Sequence, residues 1–158
     1  MSARAAWRLE SLGFSQVFRY TGGRADWSAN GLPMEGELAG TPRAGTLLQR
    51  DVPTCSLADR IGDIEKALER TGWDLCVVVN KERIVLGLLW TGALKAASEA
   101  TESRAEDVMQ LGPPTIRPDL PPEQALEYMK KRNTVLVTTS DGQLLGVLHR
   151  GDVERVLE

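Results

Sequence analysis

The sequence predicts an α+β fold made of two copies of one small unit packed face to face. The first observation behind this is an internal repeat: residues 44–68 align with residues 105–129 at a constant offset, so that AGTLLQ (44–49) lies over AEDVMQ (105–110). The second is that each copy continues through a helical pattern into two apolar strand patterns, the later one carrying Gly87 or Gly146. Since neither copy can bury a core alone, we expect the two to pack together and to leave clefts where small ligands bind.

The composition is that of a globular protein, with 42% hydrophobic and 26% charged residues and a net charge of −3. Lysine and arginine are scattered among acidic residues, so we expect no nucleic-acid partner. The longest apolar run is too short to span a bilayer, and residues 1–4 (MSAR) do not begin a signal peptide. We therefore expect no membrane association and a cytoplasmic location.

Residues 1–36 precede the repeat. The sequence predicts a helix over 2–12 that stops at Gly13, a short strand over 14–20, and a second helix around Trp27 that ends near residues 31–33. Residues 37–43 belong to a stretch rich in glycine and proline and are assigned as a linker. The predicted units are then 44–101 and 102–158.

The first unit is predicted to form a helix over 59–70, because Ile61, Ile64 and Leu68 recur at helical spacing. Its remaining elements are a strand over 75–79, a turn over 80–83, a strand over 84–90 and a helix over 92–100.

The second unit repeats that order. Proline opens a helix over 121–131, with Tyr128 and Met129 expected inward. The turn at 140–142 (SDG) joins strands over 135–137 and 144–148, and residues 152–157 begin a closing helix.

The two cysteines, Cys55 and Cys76, lie in apolar strand patterns without the spacing of metal ligands. We expect two buried, reduced thiols, although their pairing as strand neighbours stays open.

The repeats resemble cystathionine-β-synthase-like (CBS) domains arranged as a tandem pair, or Bateman module. The resemblance covers residues 44–158 and rests on motifs of the second copy that recur in part in the first. They are 107–109 (DVM), 115–119 (TIRPD), 125–129 (ALEYM), 141–142 (DG) and 146–153 (GVLHRGDV).

Residues 1–36 resemble the C-terminal end of a rhodanese-like domain, through 5–9 (AAWRL), 12–14 (LGF), 22–23 (GG), Trp27 and 31–33 (GLP). The nucleophilic cysteine of such enzymes precedes this segment, whereas no cysteine occurs here before Cys55. A sulfurtransferase would therefore lack its nucleophile. The segment is either a relic or the end of a longer rhodanese–CBS protein, and we expect it to pack on the repeats or on a partner chain.

The CBS resemblance implies an adenosine-binding cleft whose pattern is Gly-apolar-x-Thr/Ser-x-x-Asp. In the second copy this gives Gly146, His149 in place of Thr, and Asp152 as the ribose contact. Asp152 is equally well explained as an acid that complements a helix dipole. In the first copy Trp90 replaces Thr and Ala93 replaces Asp, so that Trp90 either fills this cleft or stacks on a base.

The remaining candidate ligand-binding residues are Thr54 and Thr115 near the adenine edge, Arg117 in the cleft or in water, Arg150 beside a phosphate, and Thr91 as a displaced hydroxyl. His149 is either a phosphate contact or a strand-end residue.

The sequence contains no catalytic constellation, so we expect no enzyme activity and no required cofactor. The leading hypothesis is a regulatory, homodimeric CBS pair that binds AMP, ATP, NAD or S-adenosylmethionine and acts on an unidentified protein effector. The alternatives are a degenerate association module that binds nothing and a truncated sulfurtransferase-related protein.

Overall fold

The computed structural model describes residues 2–36, 39–97, 103–130 and 132–158. Its elements are, in order, α1 (Ser2–Ser11), α2 (Gly23–Ala29), α3 (Ala44–Leu47), β1 (Thr54–Cys55), α4 (Ile61–Thr71), β2 (Leu75–Val79), β3 (Val85–Trp90), α5 (Thr91–Ala97), α6 (Ala105–Val108), β4 (Gln110–Leu111), β5 (Thr115–Ile116), α7 (Pro122–Met129), β6 (Thr134–Thr138), β7 (Leu144–His149) and α8 (Arg150–Leu157).

Two sheets carry the repeat and confirm the predicted α+β class. Their strand orders are β1-β2-β3-β4 and β5-β6-β7. Each contains an antiparallel hairpin, and the two hairpins have the same register: Leu75 faces Trp90 in the first, and Thr134 faces His149 in the second. A short strand runs parallel to the first arm of each hairpin. Positions 59 apart, such as Trp90 and His149, are therefore structural equivalents.

Each unit packs its first short helix on the other unit. The amide of Ala44 in α3 donates to the carbonyl of Leu120 (2.9 Å), and the amide of Ala105 in α6 donates to the carbonyl of Asp59 (2.9 Å). Ala44 is buried in the core of the second unit and Ala105 in the core of the first. The sequence repeat and the packing units therefore begin at different points of the chain.

The residues after these helices join the opposite sheet. Gln49 and Val147 exchange both backbone hydrogen bonds (2.8 and 2.9 Å), and Gln110 pairs in the same way with Leu88 of β3. A glycine stands beside each contact because there is no room for a side chain. A Cβ atom on Gly146 would lie 2.3 Å from the carbonyl oxygen of Gln49.

The main helices follow the predicted pattern. α4 buries Ile61, Ile64 and Leu68, and it ends at Gly72, whose left-handed backbone (φ 73°) lets its amide reach the carbonyl of Leu68. α7 begins with a proline in its first turn, where an amide hydrogen is not needed.

Apolar side chains from both hairpins form a core between the sheets, which is the expected face-to-face packing. Its buried members are Val52, Leu75, Val77, Leu88, Leu136, Leu144 and Val147. Among the helices of the described residues, none is long and apolar enough to cross a bilayer.

The N-terminal segment matches the prediction only in part. α1 and α2 lie where they are expected, but the strand predicted over 14–20 is absent, because no neighbouring strand pairs with this stretch. Its apolar residues are instead exposed, Phe18 by 87%. Contact with the repeats includes Asp26, which is buried and accepts a hydrogen bond from the hydroxyl of Ser140 (3.4 Å).

Another prediction was wrong at Tyr128, which is exposed rather than inward, whereas Met129 is buried. The face of α7 that meets the core is set by Pro122, Ala125 and Met129. The C-terminal ends predicted for the helices over 92–100 and 121–131 fall at residues 98–100 and at residue 131. These positions lie outside the described residues.

The close approach at Gly146 gives a stability prediction. We expect Gly146→Ala to lower the free energy of unfolding by about 1–3 kcal/mol, because the methyl group forces the Gln49 segment away from β7. Thermal denaturation measures this, at about 2–4 °C per kcal/mol for a chain of this size.

The matched control is Gly62→Ala, in α4, where a Cβ atom meets nothing within 4 Å. Alanine is the better helix former, so this variant should be unchanged or up to about 1 kcal/mol more stable. Equal melting temperatures of the two variants would contradict the packing role of Gly146.

Candidate ligand cleft

An open cleft lies where the end of β7 and the start of α8 face the loop between α4 and β2. The two sides belong to different units, and the Gln49–Val147 pairing holds them together. The cleft has a volume of ≈ 580 Å³. The residues that line it are Gln49, Asp51, Thr71, Gly72, Trp73, Asp74, His149, Gly151, Asp152 and Arg155.

An aromatic pair forms one part of the cleft wall. The rings of Trp73 and His149 have centroids 5.8 Å apart and planes inclined by 39°. His149 is the last residue of β7, and Trp73 packs against the core of the first unit and the core between the sheets. Both rings are partly exposed, so this wall is aromatic and accessible in part to a ligand.

Asp152 supplies an anchored carboxylate. It lies in the first turn of α8, where the helix dipole favours a negative charge. The side-chain nitrogen Nε2 of Gln49 donates to Oδ2 of Asp152 (3.2 Å), and Arg155 forms an ion pair with Oδ1 (3.2 Å). The side chain is still 24% exposed, so its remaining lone pairs are open to hydroxyl donors.

On the other side of the pair, the described residues form a small cavity of ≈ 40 Å³, which Trp90 lines at the position of His149. Arg132 lies there at the position of Trp73, and Ala93 occupies the position of Asp152. One fold thus presents two unequal sites.

Of the residues that the sequence singled out, the structure brings His149 and Asp152 together in the open cleft. Gly146 lies behind them against the backbone of Gln49, where its lack of a side chain serves packing.

The other candidate residues are held elsewhere. Arg117 donates to the backbone carbonyls of Thr139 and Ser140. Arg150 donates to the carbonyls of Lys130 and Arg132 and forms an ion pair with Glu154 (3.3 Å).

The three candidate threonines are not among the residues that line the open cleft, although Thr91 contacts one of them. Thr115 pairs with Leu136 within the second sheet, and Thr54 lines a separate cavity in the first unit. The hydroxyl of Thr91 donates to the carbonyl of Asp74 (2.6 Å).

Sequence reasoning missed the half of the cleft that the first unit contributes. Trp73, Asp74, Gln49 and Asp51 carry no motif, and they reach the site through contacts between distant parts of the chain. The one available signal was a difference between the two copies. Where the first copy has Trp73 and Asp74, the second has Arg132 and Asn133.

The separate cavity contains both cysteines and has a volume of ≈ 200 Å³. Cys55 and Cys76 are free and buried, as predicted. The pKa of Cys76 is raised, first by its hydrogen bond with Cys55 and then by burial. Cys76 therefore stays a neutral thiol, which is a poor nucleophile.

Across the described ranges of the chain, no group of three or more histidine, cysteine, aspartate or glutamate side chains is placed to hold a metal ion.

Comparisons with known proteins agree with this architecture. Residues 105–158 match the family model of the CBS domain. No curated protein sequence is significantly similar to the chain.

Solved structures of CBS domain pairs share the fold. A CBS domain-containing protein of unknown function from Bacillus anthracis has a TM-score of 0.69 at 17% identity, with 73% of this chain and 92% of that chain covered. CBSX2 in complex with AMP has a TM-score of 0.64 at 20% identity, covering 73% and 95%. The CBS domain pair of MJ0100, in complex with 5′-methylthioadenosine and S-adenosyl-L-methionine, has a TM-score of 0.64 at 18% identity, covering 74% and 100%. The chain therefore has the fold of a CBS domain pair.

Proposed function

We propose that this chain is a regulatory CBS-pair module that binds an adenosine-containing ligand in the open cleft. The observation that carries the proposal is the combination, in one cleft of ≈ 580 Å³, of an aromatic wall with an anchored, accessible carboxylate. The ligands named for structures of the same fold, AMP for CBSX2 and two adenosine thio-derivatives for MJ0100, support the ligand class.

In this proposal the aromatic pair and the carboxylate have separate tasks. The adenine ring stacks against Trp73 and His149, since every base has an aromatic face that such side chains bind. The ribose hydroxyls donate to the carboxylate of Asp152, which can accept from both. The ligand thereby bridges the two units, so binding adds to the stability of the pair.

We expect Asp152→Asn to weaken binding of an adenosine ligand roughly ten- to a hundredfold. The reason is the loss of hydrogen bonds to a charged acceptor, worth about 1.5–3 kcal/mol. Isothermal titration calorimetry with AMP and 5′-methylthioadenosine measures the affinity, and the ligand-dependent rise in melting temperature gives a second readout.

The control is Glu154→Gln, which removes an acid two residues further along α8 that pairs with Arg150 and does not line the cleft. Its affinity should equal that of the unmodified chain. If Asp152→Asn and Glu154→Gln bind equally well, the ribose assignment is wrong.

The unequal clefts give a prediction about stoichiometry. Because Trp90 and Ala93 occupy the positions of His149 and Asp152 in the other half of the pair, we expect one ligand per chain. The double variant Trp90→Thr/Ala93→Asp removes the bulky side chain and supplies the missing carboxylate, so it should bind two. Calorimetric stoichiometry measures this, with Ala93→Asp alone as the control that should stay at one. A value of two for the unmodified chain would contradict the role given to Trp90.

We also propose that the module is a homodimer that associates through its helical surface. Tyr128 of α7 and Val156 and Leu157 of α8 are exposed apolar residues on two helices that pack side by side. Burial of such side chains drives association. The regulated protein effector and the cytoplasmic location remain predictions of the sequence.

Sedimentation velocity tests the dimer. The unmodified chain should sediment as a dimer at micromolar concentration, and Tyr128→Glu should shift it toward monomer because a buried charge opposes association. Phe18→Ser, at an even more exposed apolar site on the N-terminal segment, should leave the dimer intact. A monomeric unmodified chain would contradict the proposal, and dissociation by Phe18→Ser alone would assign the interface to the N-terminal segment.

The alternative of an association module that binds nothing gains less support, because His149 lines its cleft without filling it. The absence of a melting shift with any adenosine ligand would restore it.

The rhodanese-like origin of residues 1–36 is kept as a proposal, supported by the positions of α1 and α2. A thiosulfate sulfurtransferase assay tests the corresponding activity, which the buried state of Cys55 and Cys76 argues against.

A further inference from the structure

The open cleft is acidic. Asp51, Asp74 and Asp152 line it, and among its lining residues Arg155 is the one lysine or arginine. The Arg155 guanidinium already pairs with Asp152 and is otherwise turned to water, its side chain being 76% exposed. Three carboxylates and one guanidinium leave the cleft with two net negative charges while His149 is neutral.

This acidity belongs to the open cleft alone and not to the repeated fold. The positions equivalent to Asp51, Asp74 and Asp152 carry Gly112, Asn133 and Ala93. The same backbone therefore forms without any of the three carboxylates.

Two features near the cleft would otherwise favour a phosphate, and both are offset. Arg150 follows His149, but its guanidinium is bound to the carbonyls of Lys130 and Arg132 and to Glu154. The start of α8 presents the positive end of a helix dipole, but Asp152 lies in that first turn and opposes an anion there.

We propose, resting on the function proposed above, that the cleft selects adenosine derivatives whose 5′ substituent is neutral or positively charged over adenosine 5′-phosphates. A phosphate monoester carries about −1.5 to −2 charges at neutral pH, and like charges a few ångströms apart repel. 5′-Methylthioadenosine is neutral at this position, and S-adenosylmethionine carries a sulfonium. The sulfonium and the ammonium of the latter face Asp51 and Asp74, whereas AMP brings its charge toward them.

Calorimetry at neutral pH and low salt tests the selectivity with four probes: S-adenosylmethionine, 5′-methylthioadenosine, AMP and ATP. We expect 5′-methylthioadenosine to bind at least tenfold more tightly than AMP, a difference of about 1.4 kcal/mol, and ATP to bind most weakly. Raising the ionic strength from about 0.01 M to about 0.15 M shortens the Debye length from about 30 Å to about 8 Å, so the difference should narrow.

Asp74→Asn isolates the charge. Asp74 lines the cleft, and its contact with Thr91 uses the backbone carbonyl and is retained in the variant. The affinity for AMP should rise several-fold and that for 5′-methylthioadenosine should stay unchanged. Asp141→Asn, in the exposed turn between β6 and β7, is the matched control and should alter neither.

The outcomes separate the two proposals. Binding of AMP as tightly as 5′-methylthioadenosine, or an unchanged AMP affinity in Asp74→Asn, would overturn the charge selectivity and leave the adenosine site standing. If none of the four probes binds, the adenosine site itself is wrong and the selectivity falls with it.

Discussion

The structure depends on one close contact, the pairing of the Gln49 segment with β7 across the two units. Both backbone hydrogen bonds between Gln49 and Val147 form, and Gly146 leaves the space for them. This pairing places α3 on the core of the second unit, and its counterpart at Gln110 places α6 on the core of the first. Neither unit completes its own core, so the two fold as a pair.

The same contact builds the cleft. Once Gln49 is fixed against β7, its side chain reaches Asp152, and Asp51, two residues further along, lines the same cleft. The packing requirement is met twice in the chain, but the residues at the two clefts differ, because Trp90 stands where the second unit has His149. Gly87 and Gly146 are thus explained by folding, whereas the residue differences between the two clefts are not required by it.

How much of the fold the sequence predicts depends on how far apart in the chain the contacting residues lie. Helix α4 and the two hairpins follow local periodicity and turn residues, and they were predicted at nearly their observed bounds. The exchange of α3 and α6 joins residues far apart in the chain, so no local pattern encodes it, and Trp73 and Asp74 were missed for the same reason. The strand expected over 14–20 failed because apolar residues alone do not provide a pairing partner.

The acidic residues of the cleft are compatible with the fold but are not needed to form it. The architecture does not require these carboxylates, because Gly112 and Asn133 occupy two of the equivalent positions in the same fold. Asp51 and Asp74 lie at exposed positions and take no part in the cores. Under the proposed function, their place in one cleft is accounted for by the ligand class, because a ligand without negative charge is not opposed by these carboxylates.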